Sequence, residues 1–290
     1  MARRTIVLAI AFAALALVIA YVAPGNGGGA ADTAFAARPP TKTPAPTNTP
    51  TPVPPGPTAT ATPSGSGTLP SQILNLTNWK LTLPLNSSGG LGGEAAEILQ
   101  PQLNSYVNNP YFVVNGNGVQ FRAPVNGATT SGSSYPRSEL REMTNNGSAL
   151  ASWSTISGTH TMFIDQAITT VPATKKHVVA GQIHDSADDV ITVRLEYPKL
   201  FVDHNGVAGN TLTSNYVLGT RFTVKFEASG GQIRVYYNGS ATPNDTLSRS
   251  GSGMYFKAGD YTQSNCDTDS PCSATNYGEV IIYQLTVTHQ

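Results

Sequence analysis

Three short segments of the chain carry side chains that could bind an anion and move protons. They are Arg-Ser-Glu-Leu-Arg-Glu at 137–142, Gln-Ile-His at 182–184 and Tyr-Phe-Lys-Ala-Gly-Asp-Tyr-Thr-Gln at 255–263. Each segment is predicted to be a β-strand, in which successive side chains point to opposite faces. One face of the three strands would then carry Arg137, Glu139, Arg141, Gln182, His184, Tyr255, Lys257, Tyr261 and Gln263. This face is cationic and can exchange protons, so it suits an anionic substrate.

The alternate positions of these strands are mostly apolar or small. They include Leu140 and Ile183 on the first two strands, and Phe256 and Ala258 on the third. Because such side chains are usually buried in protein cores, each strand is predicted to pack one face on a core and present the other to a substrate. Tyr255 is expected to pack at the rim rather than to take part in chemistry.

Hydrolysis of a glycosidic bond is a poor match for this set of residues. It needs two carboxylates that face each other across the bond, but the odd spacing of Glu139 and Glu142 puts them on opposite faces of their strand. Glu139 lies between two arginines on its own face and is expected to orient them. The chain also lacks the Gly-x-Ser-x-Gly nucleophile pattern and the Walker, dinucleotide-binding and zinc-protease motifs.

Cleavage of a carboxylate-bearing polymer by β-elimination fits these residues better. The proton to be removed lies next to a carboxylate and becomes more acidic when that charge is neutralised. Arg137 and Gln182 could bind the carboxylate and stabilise the enolate-like intermediate, because a planar guanidinium matches a carboxylate. A neutral His184 or a tyrosinate could take the proton, and a tyrosine hydroxyl could protonate the departing oxygen. This chemistry requires no metal and no organic cofactor.

The secondary structure is predicted to be almost entirely β. Segments 190–197, 222–228, 233–237 and 280–287 have the composition of strands, and Asn-Gly pairs recur along the chain. Asn and Gly tolerate positive φ and therefore favour tight turns. Many short strands separated by turns predict an all-β sandwich or jelly roll.

Two N-terminal segments differ in composition from the rest. Residues 1–36 begin with two arginines and an apolar stretch, as in a signal peptide or signal anchor. Residues 37–70 are rich in Thr and Pro, which suits an extended linker. Residues 71–290 are predicted to form one catalytic domain. The protein is therefore expected to be secreted or extracellular, with any membrane tether confined to its N-terminal segment.

The domain predicted at 71–290 is weakly acidic. Four of the 17 basic residues and one of the 17 acidic residues precede it, which leaves a formal charge of −3. Nucleic acid requires a broad basic surface. No nucleic-acid partner is expected, and anion binding must be local.

Cys266 and Cys272 are the two cysteines of the chain and lie in one polar loop. In an exported protein a loop-closing disulfide is the expected state. A metal site is a weak alternative there, since no histidine lies nearby in sequence. A calcium site at Asp185, Asp188 and Asp189 is a second weak alternative to a solvated turn, so no metal site is predicted.

The three segments, in this order, resemble the signature segments of the family 7 polysaccharide lyases, which are alginate lyases. Residues 78–84 and 280–287 are similar to the first and last strands of that family. The resemblance therefore covers the chain from about residue 73. It implies a β-jelly roll, which is a concanavalin-like β-sandwich, with a concave substrate-binding sheet. It also implies cleavage of the 1,4-glycosidic bonds of alginate by β-elimination without a cofactor.

The resemblance further implies a role for each residue of the polar face. Arg137 and Gln182 would neutralise the uronate carboxylate. His184 would be the base for guluronate and Tyr261 would protonate the leaving oxygen, while for mannuronate Tyr261 could fill both roles. The residues expected to contact the substrate, or to orient the side chains that bind it, are Arg141, Lys257, Gln263 and Glu139. In this family the isoleucine at position 183 accompanies guluronate-containing substrates. It favours a poly(α-L-guluronate) lyase, which is expected to act within chains, as a monomer, and to release unsaturated oligouronates.

Two other functions remain open on the sequence. A noncatalytic carbohydrate-binding module for acidic polysaccharide can share the sandwich fold. Such modules usually bind through exposed aromatic side chains, whereas this chain has only two tryptophans, Trp79 and Trp153. The second alternative is a lyase for another polyuronate, such as glucuronan. By themselves, Arg137 and Arg141 around Glu139 could also be a surface ion-pair ladder.

Overall fold

The computed structural model describes residues 68–290, which form two antiparallel β-sheets around one hydrophobic core. The predicted signal segment at 1–36, and all but the last three residues of the predicted linker at 37–70, lie outside the described residues. Within 68–290 the only helices are two short 3-10 turns, Pro70–Gln72 and Gln102–Ser105. No helix in this part of the chain is long and apolar enough to cross a membrane.

The described residues contain sixteen strands. In chain order they are β1 (Trp79–Thr82), β2 (Glu97–Ile98), β3 (Phe112–Asn115), β4 (Gly118–Pro124), β5 (Arg137–Thr144), β6 (Ala149–Leu150), β7 (Thr159–Thr170), β8 (His177–His184), β9 (Asp189–Glu196), β10 (Lys199–His204), β11 (Val207–Thr213), β12 (Phe222–Ser229), β13 (Gln232–Tyr237), β14 (Asp245–Ser248), β15 (Tyr255–Thr262) and β16 (Tyr277–His289).

The strands are divided between a larger and a smaller sheet. The nine-stranded sheet has the order β11-β10-β9-β8-β15-β5-β1-β2, with β6 paired to β5. The seven-stranded sheet has the order β14-β13-β12-β7-β16-β4-β3. The all-β jelly-roll architecture expected from the sequence is confirmed.

The three strands of the predicted site lie side by side in the larger sheet, in the order β8, β15, β5. Residues that stand opposite each other on neighbouring strands share a face. The opposed residues of the polar face are Lys257 with Arg141 and Gln182, Tyr255 with His184, and Tyr261 with Arg137. The pairing therefore gathers onto one face groups that lie far apart in the sequence.

The opposite face of the same strands belongs to the core. Leu140, Ile183, Phe256 and Ala258 have no exposed surface, as the alternation predicts. They join one cluster with apolar side chains of the smaller sheet, among them Phe226. Full burial of a large apolar side chain contributes about 1.5–3 kcal/mol, so this packing fixes the strands that carry the polar face.

Two glycines allow an irregular stretch behind the polar face. Gly259 has φ +141° and Gly181 has φ +133°, values that other residues rarely adopt. A Cβ on Gly259 would lie 2.5 Å from the carbonyl oxygen of Ser138, and one on Gly181 would lie 2.8 Å from Ile164 Cδ1. The register between β8 and β15 shifts in this stretch. Glycine thus permits the bulge where the two sheets approach closely.

A disulfide joins Cys266 and Cys272, as predicted, with their Cα atoms 4.8 Å apart. Asp269 lies inside the loop that this bond closes. Its carboxylate accepts hydrogen bonds from Thr174 N, Lys175 N, Ser264 Oγ and Asn276 Nδ2. Burial would raise the pKa of Asp269, but these hydrogen bonds lower it to about 2. The loop after β15 is therefore fastened to the connection between β7 and β8.

Glu142 is buried on the core side of β5. Its Oε2 accepts hydrogen bonds from the Trp153 indole at 3.0 Å and from the Phe256 amide at 2.9 Å. Its Oε1 lies 2.6 Å from His289 Nε2, and His289 Nδ1 lies 2.7 Å from His160 Nδ1. This carboxylate therefore holds together the structure at one end of the sandwich and faces away from the predicted site.

Replacing Glu142 by alanine is expected to lower the free energy of unfolding by about 2 kcal/mol or more, because the Trp153 indole and the Phe256 amide would become buried donors without an acceptor. Glu142→Gln keeps an acceptor oxygen and is the matched control with a smaller loss. Urea denaturation measures both. Activity per folded molecule should survive in either variant. An unchanged free energy of unfolding in Glu142→Ala would contradict the role assigned to this carboxylate.

Candidate active site

A groove on the face of the larger sheet opposite the core collects most of the predicted site residues. Its cavity volume is about 340 Å³. Glu139 lies beneath it and is 1% exposed. Six of the eight residues predicted to bind or transform a substrate line the groove, namely Arg137, Arg141, Gln182, His184, Lys257 and Tyr261.

Glu139 is the anion at the centre of the groove floor. It accepts hydrogen bonds from Lys257 Nζ and Gln182 Nε2, both at 2.6 Å, and lies 3.2 Å from Arg137 Nη1. Burial alone would raise the pKa of Glu139. The charges of Lys257 and Arg137, together with the hydrogen bonds from Lys257 and Gln182, hold that pKa below its ordinary value. Glu139 is therefore ionised, and it links strands β5, β8 and β15.

The two cations around Glu139 leave one positive charge in excess. Arg137 and Lys257 are both buried. Burial lowers the pKa of Lys257 to about 8, against the attraction of Glu139, so Lys257 keeps its charge at neutral pH. The guanidinium carbon of Arg137 lies 3.7 Å from the centroid of the Tyr261 ring, a cation–π contact. The floor of the groove therefore carries a net positive charge, which suits an anion.

Gln182 has an amide hydrogen left for a ligand. Its Nε2 donates to Glu139, and the carboxylate can only accept, so the orientation of the amide is fixed. Nε2 carries a second hydrogen that this bond does not use. A carboxylate bound in the groove could accept from that hydrogen and from the guanidinium of Arg137.

The imidazole of His184 is held so that Nε2 is its basic nitrogen. Nδ1 lies 2.7 Å from the carbonyl oxygen of Asp185, which can only accept, so Nδ1 carries the proton. The hydroxyl of Tyr255 lies 3.0 Å from the same nitrogen, and the two rings stack. Burial lowers the pKa of His184, and the charge of Lys257 adds to this effect against the hydrogen bond to Asp185. Neutral His184 therefore offers an unprotonated Nε2.

Arg141 and Tyr255 form one side of the groove next to His184. The Arg141 guanidinium carbon lies 3.9 Å from the centroid of the Tyr255 ring. Burial raises the pKa of the Tyr255 hydroxyl, and the charge of Arg141 opposes this, so Tyr255 is protonated at neutral pH. Tyr255, which the sequence assigns to packing, is thus the residue that supports the ring of His184.

Tyr261 stands at the other end of the groove. Its hydroxyl lies 2.9 Å from Ser133 Oγ, its only hydrogen-bond partner within residues 68–290. Ser133 belongs to the loop at 129–136, whose residues 130–133 line the groove. The ring of Tyr135 from the same loop meets the Tyr261 ring edge-on, with centroids 6.4 Å apart. Sequence reasoning misses Ser133, because a loop rich in Ser, Thr and Gly has no side-chain period from which a contact could be predicted.

Gln263 does not line the groove cavity. Its Oε1 accepts a hydrogen bond from Arg194 Nη1 at 3.2 Å. Arg194 on β9 also contacts His177 and Glu196. The structure therefore gives Gln263 a protein partner beyond the end of β15, and its contact with a substrate stays a prediction.

Carboxylates lie at the rim near the end of β8. Asp188 and Asp189 both line the cavity. Burial, with the charges of Asp188 and Asp203, raises the pKa of Asp189 to about 6. Asp185 accepts from the backbone of this turn and pairs with Arg249 at 2.6 Å. In the part of the chain from 68 to 290, no three His, Cys, Asp or Glu side chains are arranged to hold a metal ion.

A second cavity of about 560 Å³ is larger than the groove but contains none of the predicted site residues. Its walls include Glu142, Trp153, His160 and His289, whose side chains are engaged with one another. Volume alone would favour this cavity. The chemistry favours the groove, where anion-binding and proton-carrying groups face a common space.

Comparison with known proteins connects this geometry to one family. A family model described as alginate lyase matches residues 74–289. An alginate lyase of Klebsiella pneumoniae is 27% identical over 288 residues, a match that covers 76% of this chain and 91% of that protein.

Solved structures extend the comparison. Alginate lyase AlgAT5 from polysaccharide lyase family 7 is 58% identical, with a TM-score of 0.72, and the match covers 77% of this chain and 100% of that one. The alginate lyase from Corynebacterium sp. is 51% identical, with a TM-score of 0.73, over 77% of this chain and 99% of that one. The family 7 alginate lyase A1-II′ in complex with substrate (GGMG) is 25% identical, with a TM-score of 0.65, over 77% and 97% of the two chains.

The pH dependence of turnover tests the environment of His184. A base must be neutral to act, and the pKa of His184 is lowered, so the acid limb of kcat/KM is expected below the ordinary histidine value of about 6.5. Lys257→Met removes a cation that lowers this pKa and should move the limb to higher pH, whatever it does to the maximal rate. The measurement is the pH profile of kcat/KM for the wild type and for the Lys257→Met variant.

Lys225→Met is the matched control, because Lys225 also pairs with a glutamate, Glu227 at 3.0 Å, but lies on the smaller sheet. Its acid limb should coincide with that of the wild type. A limb that stays in place or moves to lower pH in Lys257→Met would show that Lys257 does not act on the base.

Proposed function

The chain belongs to polysaccharide lyase family 7, the alginate lyases, and from that premise we propose that it cleaves internal bonds of alginate by β-elimination, with a preference for guluronate-containing blocks. The expected products are unsaturated oligouronates. The 25% identical alginate lyase A1-II′ has been solved in complex with substrate (GGMG), which supports a polysaccharide as the partner of the groove.

Neutralisation of the uronate carboxylate is the first requirement of this reaction. A carboxylate in the groove would meet the guanidinium of Arg137 and the free amide hydrogen of Gln182. Both groups are held by Glu139, at 3.2 Å and 2.6 Å, so they need little reorganisation as charge moves onto the carboxylate in the transition state. The neighbouring C5 proton becomes more acidic because the developing enolate is stabilised by these donors.

The proposed bond changes use the two proton carriers that line the groove. His184 Nε2 takes the C5 proton, and the electrons of that C–H bond form the C4–C5 double bond. The C4–O bond breaks, and the leaving oxygen receives the proton of the Tyr261 hydroxyl. His184 then loses its extra proton to solvent. Tyr261 takes up a proton from solvent, so both side chains return to their starting states. With mannuronate, where the proton and the leaving oxygen lie on the same side, Tyr261 could serve as both base and acid.

The observation that carries this proposal is the arrangement around Glu139. One buried carboxylate binds Arg137, Gln182 and Lys257, while His184 and Tyr261 line the same groove. An ion-pair ladder on a solvated surface would not bury all of these groups or direct two proton carriers to one cavity.

The proposed preference for guluronate and the proposed cleavage within chains have separate support. Ile183 favours guluronate through the family resemblance alone, since its side chain is in the core with no exposed surface. Action within chains is supported by the position of the groove on a sheet face, from which a polymer can continue in both directions.

Export is part of the proposal as well. The composition of residues 1–36 resembles an export signal, and the disulfide between Cys266 and Cys272 suits an oxidising compartment. We propose a secreted or surface-tethered protein that acts as a monomer.

The substrate is tested by offering polyguluronate, mixed guluronate–mannuronate blocks, polymannuronate and glucuronan separately to the purified chain. The ultraviolet absorbance of the new C4–C5 double bond, which is conjugated with the carboxylate, reports elimination. A rise on polyguluronate or mixed blocks is expected. A rise on polymannuronate alone would overturn the preference, and a rise on glucuronan alone would replace the substrate. Binding of alginate without any rise would favour a noncatalytic module.

Tyr261→Phe and His184→Ala are each expected to lower kcat on polyguluronate by about 100-fold or more, because each removes a proton carrier. Tyr236→Phe is the matched control, since Tyr236 lies on the smaller sheet and its hydroxyl faces Glu227. Steady-state rates of folded proteins, checked by circular dichroism, give the comparison. Normal turnover in a folded Tyr261→Phe variant would rule out this mechanism.

A further inference from the structure

Ser133 has a contact with the groove that the proposed mechanism does not use. Its Oγ lies 2.9 Å from the hydroxyl oxygen of Tyr261. The same Oγ accepts a hydrogen bond from the Tyr135 amide at 3.1 Å and lies 3.2 Å from the Tyr135 carbonyl oxygen. Ser133 is half-buried and lines the cavity.

The hydrogen atoms around this oxygen can be assigned. The Tyr135 amide fills one acceptor position of Ser133 Oγ, because an N–H can only donate. The single hydroxyl hydrogen of Ser133 can then go either to the Tyr135 carbonyl at 3.2 Å or to Tyr261 at the shorter distance of 2.9 Å. Rotation about one bond moves it between these two acceptors.

The reaction selects one of these arrangements. Tyr261 can protonate a leaving oxygen only if its own hydrogen points into the groove, and then its oxygen is free to accept from Ser133. Once that proton has gone, the phenolate needs a donor, and Ser133 is its only hydrogen-bond partner within residues 68–290. The guanidinium of Arg137 over the ring, 3.7 Å from the centroid, also stabilises the negative charge.

We propose that Ser133 is a positioning residue that donates a hydrogen bond to the oxygen of Tyr261, directing the phenol hydrogen toward the groove and stabilising the phenolate that remains. This inference rests on the proposed lyase function and adds a residue to its acid step. Ser133 does not touch the reacting atoms. It acts through Tyr261.

The loop that carries Ser133 is held by contacts that do not involve its hydroxyl. The Ser133 amide donates to Thr130 O at 3.0 Å, and Asn265 Nδ2 donates to Ser134 O at 3.1 Å. Lys175 Nζ donates to the Tyr135 hydroxyl at 2.7 Å. Removal of the Ser133 hydroxyl also takes away the acceptor of the Tyr135 amide, but these contacts remain and should keep the loop in place. A fall in kcat without a rise in KM is therefore assigned to the lost hydrogen bond with Tyr261.

The test compares the full-length wild type with Ser133→Ala, Ser133→Thr and Ser134→Ala on polyguluronate. Ser133→Ala should lower kcat about 10- to 100-fold, as expected for a lost hydrogen bond to a charged oxygen, with KM changed by less than about twofold. Ser133→Thr keeps a hydroxyl and should restore most of kcat. Ser134 is exposed and lies outside the cavity, so Ser134→Ala controls for changes in the loop itself.

The outcomes separate this inference from the function on which it rests. An active wild type with unchanged kcat in Ser133→Ala overturns the role of Ser133 and leaves the lyase function standing. A rise in KM without a fall in kcat, or equal losses in the alanine and threonine variants, shows that Ser133 only shapes the loop and also overturns it. No double-bond absorbance from the wild type on any polyuronate overturns the function, and this inference with it.

Discussion

The buried carboxylate of Glu139 is the interaction on which the groove depends. It binds one group from each of three neighbouring strands: Arg137 on its own strand, Gln182 on β8 and Lys257 on β15. Burying these charges costs about as much as their mutual attraction returns, so the cluster contributes little to net stability. Its effect is orientation. Without Glu139 two buried cations would repel each other, and the amide of Gln182 would lose the bond that fixes its direction.

The proton carriers are attached to this cluster in different ways. His184 is on a central strand, its tautomer is set by a backbone carbonyl and its ring stacks on Tyr255, so its orientation comes from the sheet. Tyr261 is also on a central strand, but its hydroxyl depends on Ser133 in a loop. The base is therefore positioned mainly by secondary structure, whereas the acid depends on a contact from a connecting segment that lines the groove. The cation–π contact between Arg137 and Tyr261 joins the acid to the anion-binding floor.

Sequence patterns predict which face of a sheet a side chain lies on better than they predict which residues it contacts. The period of two along β5, β8 and β15 correctly separates Glu139 from Glu142 and places Ile183 in the core. It does not give the register between strands that are far apart in sequence, so the central position of Glu139 becomes visible only in the structure. Loops have no period, which is why Ser133 escapes notice. The bond between Gln263 and Arg194 likewise depends on a pairing that the chain order does not reveal.

Along these three strands, groups that face the groove alternate with groups that pack the core, and the two sets can drift separately during evolution. An exchange at a groove position leaves the packing intact, and an exchange in the core leaves the chemical groups in place. Gly181 and Gly259 are exceptions, because there the backbone itself lies against neighbouring atoms, and a side chain would disturb both sheets. A lineage with this architecture could adopt new polymers by changing alternate residues, provided that it retained two glycines that do not line the groove.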